Sequence, residues 1–195
     1  MAKMTRAEQS ERTKNKLMRA NRDLVVKGGW SAASSRAIAE RAGVNLALIN
    51  FHFGGKEKLF EATLDHCVSK VASTFGPWGE ARDLPELIEM CAKAVPAISS
   101  DSNARFVFAA MLESPRNSDL RAAVRRQLDL FREGISRVVK KSGLAGADIG
   151  PVSTLVAGAM DGLMIHLVLD PSTDAVGALE FLGDALVSLV ADRSS

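Results

Sequence analysis

The 195-residue chain is predicted to be all-α. Three observations carry that expectation. Strand signals are nearly absent: there is no Tyr, and no β-branched alternation lies between hairpin turns. Apolar residues recur instead at spacings of about three and four along most of the chain. Gly and Pro fall between these stripes, where helices stop. About nine helices are expected on this reading.

Leu17, Ala20, Leu24 and Val25 mark a first helix that ends at Lys27, before Gly28-Gly29. Phe60, Leu64, Cys67, Val68, Val71 and Phe75 mark another that runs to Gly76-Pro77. Leu84, Leu87, Ile88, Cys91, Val95 and Ile98 repeat the pattern, and a short piece from Ala104 to Glu113 precedes "SPRNSD". Leu120, Val124, Leu128, Phe131, Ile135 and Val138 form a long stripe that stops at Gly143. Two last helices, roughly Pro151 to Leu169 and Thr173 to Asp192, flank "DPST", with Ser172 or Thr173 as the cap of the second. Both are apolar on more than one face, so each needs cover on two sides. A second subunit is the natural cover for the outer side.

Charge is unevenly spread. Residues 1–58 hold twelve Lys and Arg against five Asp and Glu, a net of +7, whereas the whole chain has a net of +2. No Lys or Arg lies between Lys141 and Arg193. A basic end on an otherwise acidic chain suggests a polyanion partner, most simply nucleic acid; a solvated charged face is the plainer reading of charge alone. Cys67 and Cys91 are the only cysteines, too few for a disulfide framework or zinc spacing, which favours the cytoplasm. The N-terminal "MAKMTRAEQSERTKNK" has no secretory character. Val152 to Val168 carries Asp161 and His166, so it reads as a buried helix and no membrane partner is expected.

The stretch "SRAIAERAGVNLALINFHFGGKEKLF" at 35–60 changes direction at Gly43 and at Gly54-Gly55. Its helical pieces are too short to stand alone. Ser34 and Ser35 supply N-cap hydroxyls; Arg36 to Ala42 form two turns with Ile38 and Ala39 inward. Gly43 makes a tight turn, Val44 plugs it, and Asn45 caps a second short helix through Asn50 or Phe51. Two short helices joined in this way are a helix-turn-helix, whose second helix enters the DNA major groove. Ile38, Val44 and Ile49 are then buried against the first helix, with Phe53 also in the core and Leu48 open to either reading.

On these residues the chain resembles the TetR family of transcriptional regulators. From about Leu17 to Leu59 it follows the family pattern of an R-x-I-A segment, A-G-V and an aromatic-H-F-x-x-K-E-x-L close. It departs in having Asn50 where Tyr is usual and Ala47 where Gly is frequent. The resemblance implies a helix-turn-helix DNA-binding domain at 1–58 and a ligand-binding and dimerisation domain at 59–195. It implies a homodimer, joined through the two C-terminal helices, that binds a double-stranded DNA operator and answers to a small-molecule effector.

Contacts follow residue by residue. By the resemblance, Arg36 matches a position that reaches a guanine. Asn45, Leu46, Ala47, Asn50 and Phe51 lie on or near the recognition helix. Leu46 or Ala47 is suited to a thymine methyl and Asn50 to an adenine or a phosphate. Ser34, Ser35, His52 and Lys56 are read as phosphate contacts, with local packing as the other reading of His52. The arm before Thr13, with Lys3, Arg6 and Arg12, is either disordered or a minor-groove arm.

Other chemistry has little support. "DHC" at 65–67 does not share a helix face, so no metal site is expected. There is no G-x-S-x-G elbow, and "FGGKEK" lacks the spacing of a phosphate loop. No cofactor and no enzymatic activity are expected. Trp78, Met90, Cys91, Phe106, Phe108, Met111 and Phe131 are candidates to line an apolar effector cavity, with ordinary core filling as the plainer reading. Asp161 and His166 orient a ligand or are satisfied across a dimer seam, and pairing with Asp170 at i, i+4 is a further reading of His166. The expected function is a ligand-responsive repressor released from a pseudo-palindromic operator; the alternative is a small helical ligand-binding or enzymatic protein without DNA binding.

Overall fold

The computed structural model describes residues 5–74, 78–144 and 146–193. Among them it has nine α-helices and no strand. The helices are α1 (Arg6–Gly28), α2 (Ser35–Ala42), α3 (Ala47–Phe53), α4 (Lys56–Thr74), α5 (Leu84–Ser99), α6 (Ser102–Glu113), α7 (Ser118–Lys141), α8 (Ile149–Leu169) and α9 (Ala175–Arg193). The chain folds into two compact units. One contains Met1–Val68 and Arg105–Val124; the other contains Ser69–Ala104 and Arg125–Ser195.

In the first unit α1 packs against α2 and α3. The helix starts at Arg6 because Thr5 and Glu8 form a reciprocal cap: the Glu8 amide donates to Thr5 Oγ1 at 3.2 Å, and the Thr5 amide to Glu8 Oε2 at 2.7 Å. Arg6 and Arg12 are therefore helical, which corrects the expectation that they form an arm; Lys3 lies outside the described residues. Leu17, Ala20 and Val25 are buried on the inner face of α1, and Asn21 is buried beside them. Its Nδ2 donates to Thr63 Oγ1 of α4 at 3.0 Å, and that hydroxyl donates to the Leu59 carbonyl at 2.7 Å. Asn21 Oδ1 has no partner among the described residues. A short 3-10 turn, Trp30–Ala32, follows α1 and places Trp30 against Phe60 of α4 and Phe106 of α6, with ring centroids 4.4 and 6.0 Å away.

In the second unit α5 is the central helix, packed on α9 and α8. Asp83 caps it by accepting from the Glu86 amide at 3.0 Å, and Pro85 sits in the first turn, where no amide is needed. Leu87, Ile98 and Cys91 are wholly or almost wholly buried. Cys91 Sγ donates to Met160 Sδ of α8 at 3.9 Å, and burial pushes its thiol up to about 12. Ser136 of α7 donates to Ser153 of α8 at 3.0 Å, one of the few polar links in an apolar interior.

Helix α8 starts at Ile149, two residues before Pro151, because proline fits the first turn of a helix. Asp174, and not Ser172 or Thr173, caps α9, accepting from the Gly177 amide at 2.9 Å. Ser172 is engaged by Asp170, whose Oδ1 accepts from both its amide and its hydroxyl. The segment Gly146–Leu169 is long and apolar enough to cross a membrane. In this fold its Val152, Val156, Met160, Met164 and Leu167 face are buried in the unit.

The faces of α8 separate as a helical period requires. Val156, Met160 and Met164 turn inward, joined by Leu167, while Leu155 is 56% exposed. On α9, Leu179 and Leu186 are buried and Phe181 is 77% exposed. Gly183 is buried as well: a Cβ there would stand 3.2 Å from Cγ2 of Ile88. It therefore serves the packing of α9 on α5.

Candidate nucleic-acid interface

Local chemistry builds the helix-turn-helix. Ser34 Oγ accepts from the Ala37 amide at 3.2 Å and starts α2. Gly43 ends it in the left-handed region, φ +65°, where a side chain would be strained. Asn45 Oδ1 accepts from the Ala47 amide at 2.8 Å and so opens α3, as its residue type suggested. Gly54, φ +79°, closes it after Phe53. Ile38, Ala39 and Ile49 are buried, whereas Val44 and Phe53 are only half-buried, since both lie at the edge of a very short helical pair. Asp23 of α1 bridges Arg22 at 2.9 Å and Arg41 of α2 at 3.5 Å, adding a polar tie between the two helices.

The geometry sorts the candidate contacts. Leu46, Ala47, Asn50 and Phe51 are all exposed and occupy one face of α3, opposite buried Ile49. Leu46 is 46% and Phe51 78% exposed, which is unusual for residues of their type on so small a unit. Asn45 and Ser34 are exposed, but each already serves as a cap. Arg36 is exposed on the first turn of α2 and makes no ion pair among the described residues. Ser35 and His52 are half-buried. The His52 ring meets Phe51 edge-on with centroids 4.9 Å apart, so it has the local packing partner the sequence left open. Lys56, at the first position of α4, holds its ammonium 5.4 Å from the centre of the Phe60 ring.

The chain's sequence and fold identify its kin. Residues 17–63 match the family model of bacterial regulatory proteins of the tetR family, and residues 81–192 match that of the tetracyclin repressor-like C-terminal domain. The second match alone spans more than half of the chain. This chain belongs to the TetR family. Over 82 residues it is 34% identical to the HTH-type transcriptional regulator BetI of Vibrio parahaemolyticus, covering 42% of this chain and 40% of that relative. The match thus spans about two fifths of BetI's length. The fold is similar to a transcriptional regulator from Rhodococcus sp. Rha1, with a TM-score of 0.73 at 21% identity, covering 92% of this chain and 96% of that one. It is also similar to FadR from Bacillus subtilis, whose structure holds stearoyl-CoA, with a TM-score of 0.71 at 18% identity over 89% and 97% of the two chains.

The effector candidates fall in both compact units. Phe106 is fully buried against Trp30 and, like Met111, belongs to the first compact unit. Met90, Cys91, Phe131 and His166 belong to the second. Cys91 is buried, Met90 and Phe131 are half-buried, and His166 is exposed on the outward face of α8. The Trp78 side chain lies outside the described residues. An open apolar depression lies between α8 and α9, lined by Ala159, Leu163, Ala178, Phe181, Leu182 and Ala185. Helical stripes carried its signal, since these residues share the faces opposite the buried ones.

Proposed function

We propose that this TetR-family chain is a homodimeric, ligand-responsive repressor that occupies a pseudo-palindromic operator and releases it when a small molecule binds within 59–195. The observation that carries the reading is the exposed Leu46, Ala47, Asn50 and Phe51 face of α3, on a segment with a net charge of +7. A helix of this kind fits a major groove, and the surrounding cations supply affinity for phosphate. Arg36 is assigned to a base edge, and Ser34, Ser35, His52 and Lys56 to the backbone. FadR's complex with stearoyl-CoA supports an apolar effector, for which Met90, Cys91 and Phe131 provide the candidate wall.

The dimer reading rests on the apolar depression between α8 and α9 together with exposed Leu155, Leu169 and Phe181. Beyond its chain neighbours and the backbone of its own helix, Gly158 has nothing within 4 Å of where its Cβ would stand, which allows another helix to approach closely. A two-fold pair of these helices forms a four-helix bundle and presents two recognition helices. The effector then shifts the population of subunit arrangements away from the operator spacing. The reading places the regulator in the cytoplasm, acting on DNA and catalysing no reaction.

The test is a titration of the purified protein against genomic fragments at two salt concentrations. Tight, salt-dependent binding to a discrete set of fragments is expected. Affinity for none of them would return the chain to the class of ligand-binding proteins without a DNA target.

A further inference from the structure

We infer that α3 reads A·T base pairs, with Phe51 and Leu46 seated on thymine methyl groups and Asn50 paired to an adjacent adenine. The inference rests on the reading of α3 as the recognition helix and names the class of sequence it takes. Each base presents a different partner surface in the major groove. Guanine offers two acceptors, matched by Arg or Lys; cytosine offers an amino donor, matched by Asp or Glu; adenine offers one donor and one acceptor, matched by Asn or Gln; thymine alone adds a methyl group. The outward face of α3 carries no Lys, Arg, Asp or Glu. It therefore lacks the side chains suited to either base of a G·C pair.

What the face does carry is one amide and three apolar side chains. Ala47 and Phe51 are four apart and stack along the helix, and so do Leu46 and Asn50. The four make one continuous surface, with the amide set among apolar groups. Phe51 is 78% exposed, although local folding gives it no reason to face water. Its only ring neighbour among the described aromatic contacts is His52, which meets it edge-on at 4.9 Å and limits where it can turn. An apolar face within residues 1–58, a segment of net charge +7, needs an occupant that is both polyanionic and locally apolar. A thymine-bearing major groove meets both demands. Reading of guanine is left to Arg36 on α2, so a half-site has an A·T block beside a separate G·C contact.

The experiment selects binding sites from a random duplex pool with the full-length protein, then replaces each thymine of the best site with deoxyuridine, one at a time. Uracil keeps every hydrogen bond of thymine and lacks only the methyl. Removing a buried methyl should weaken binding about fourfold at the contacted positions, and Phe51→Ala should erase the difference between thymine and uracil at one of them. Phe51 is exposed, so the variant should fold; its circular dichroism and melting curve check this. A selected site with G·C pairs throughout the α3 contact region, or thymine-to-uracil changes without effect on tight binding, would overturn the inference and leave the DNA-binding reading intact. Failure to select any sequence would overturn both.

Discussion

The rings of Trp30 and Phe60 lie 4.4 Å apart at an interplanar angle of 34°, and the Lys56 ammonium stands 5.4 Å from the same Phe60 ring. A cation assigned to phosphate is thus held over one ring of an aromatic pair in the N-terminal unit, that of buried Phe60. The arrangement separates what the Lys56 stem does from what its charge does. Lys56→Met should keep the packing on Phe60, leave the melting temperature nearly unchanged and lower the salt slope of DNA binding by about 1. Lys56→Ala should lower both. Equal salt slopes for the wild type and both variants would remove Lys56 from the interface.

Arg36 is exposed and free of ion pairs among the described residues, so its replacement disturbs no fold contact shown. Arg36→Ala should cost about 1–3 kcal/mol in operator affinity and relax preference at one base position. Competition assays against all four bases at that position show whether the loss is specific. A uniform loss across sequences would make Arg36 a backbone contact instead.

Two glycines should respond in opposite ways. Gly158→Arg meets open space in the protomer and should leave a folded chain that sediments as a monomer and binds the palindrome weakly. Gly183→Arg should damage the protomer itself, because even a Cβ there presses on Ile88 at 3.2 Å. Analytical ultracentrifugation with circular dichroism separates the two outcomes. A dimeric Gly158→Arg protein would move the seam off α8.

Burial pushes the Asp161 carboxyl up to about 6. With the folded value above the unfolded one, the folded state binds more protons between about pH 4 and 6. Stability therefore falls as pH rises through that window and is fully reduced above it. Asp161→Asn removes the cost of the buried charge and should stabilise the protein by about 1–3 kcal/mol at pH 7 and by little at pH 4. Denaturant melts at the two pH values check the sign.

Cys67 and Cys91 are both fully buried, and the Cys91 thiol is pushed up to about 12. Neither should react with an exposed-thiol reagent until the chain unfolds. Rapid modification of Cys91 under native conditions would mean that the interior of the second unit opens readily.

Much of this was legible in the sequence for a physical reason. A helix-turn-helix is specified locally: Ser34, Gly43 and Asn45 act on backbone within three residues of themselves, so residue type and spacing predict their roles. The stripes of α5 and α7 are legible because burial follows the helical period. Positions decided by distant partners were not. Phe106 stayed open between cavity lining and core filling because nothing near it in sequence indicates Trp30, seventy-odd positions away. Gly183 is another such position, since its neighbour Ile88 lies on another helix. The start of α1 was missed for a different reason: its polar first turns have no apolar stripe, and the signal was the Thr5–Glu8 pair.

Phe106 also bears on how such regulators can be recombined. The DNA-reading end of this chain is not one continuous piece of sequence, because α6 closes the aromatic cluster over Trp30. A chimera that takes only residues 1–58 from this chain would leave Trp30 facing a foreign α4 and α6, with shape mismatches in a densely packed core. Transplanting residues 1–68 together with 105–124 would carry Phe60 and Phe106 along with Trp30. Swapping operator preference between relatives therefore calls for two splices, not one.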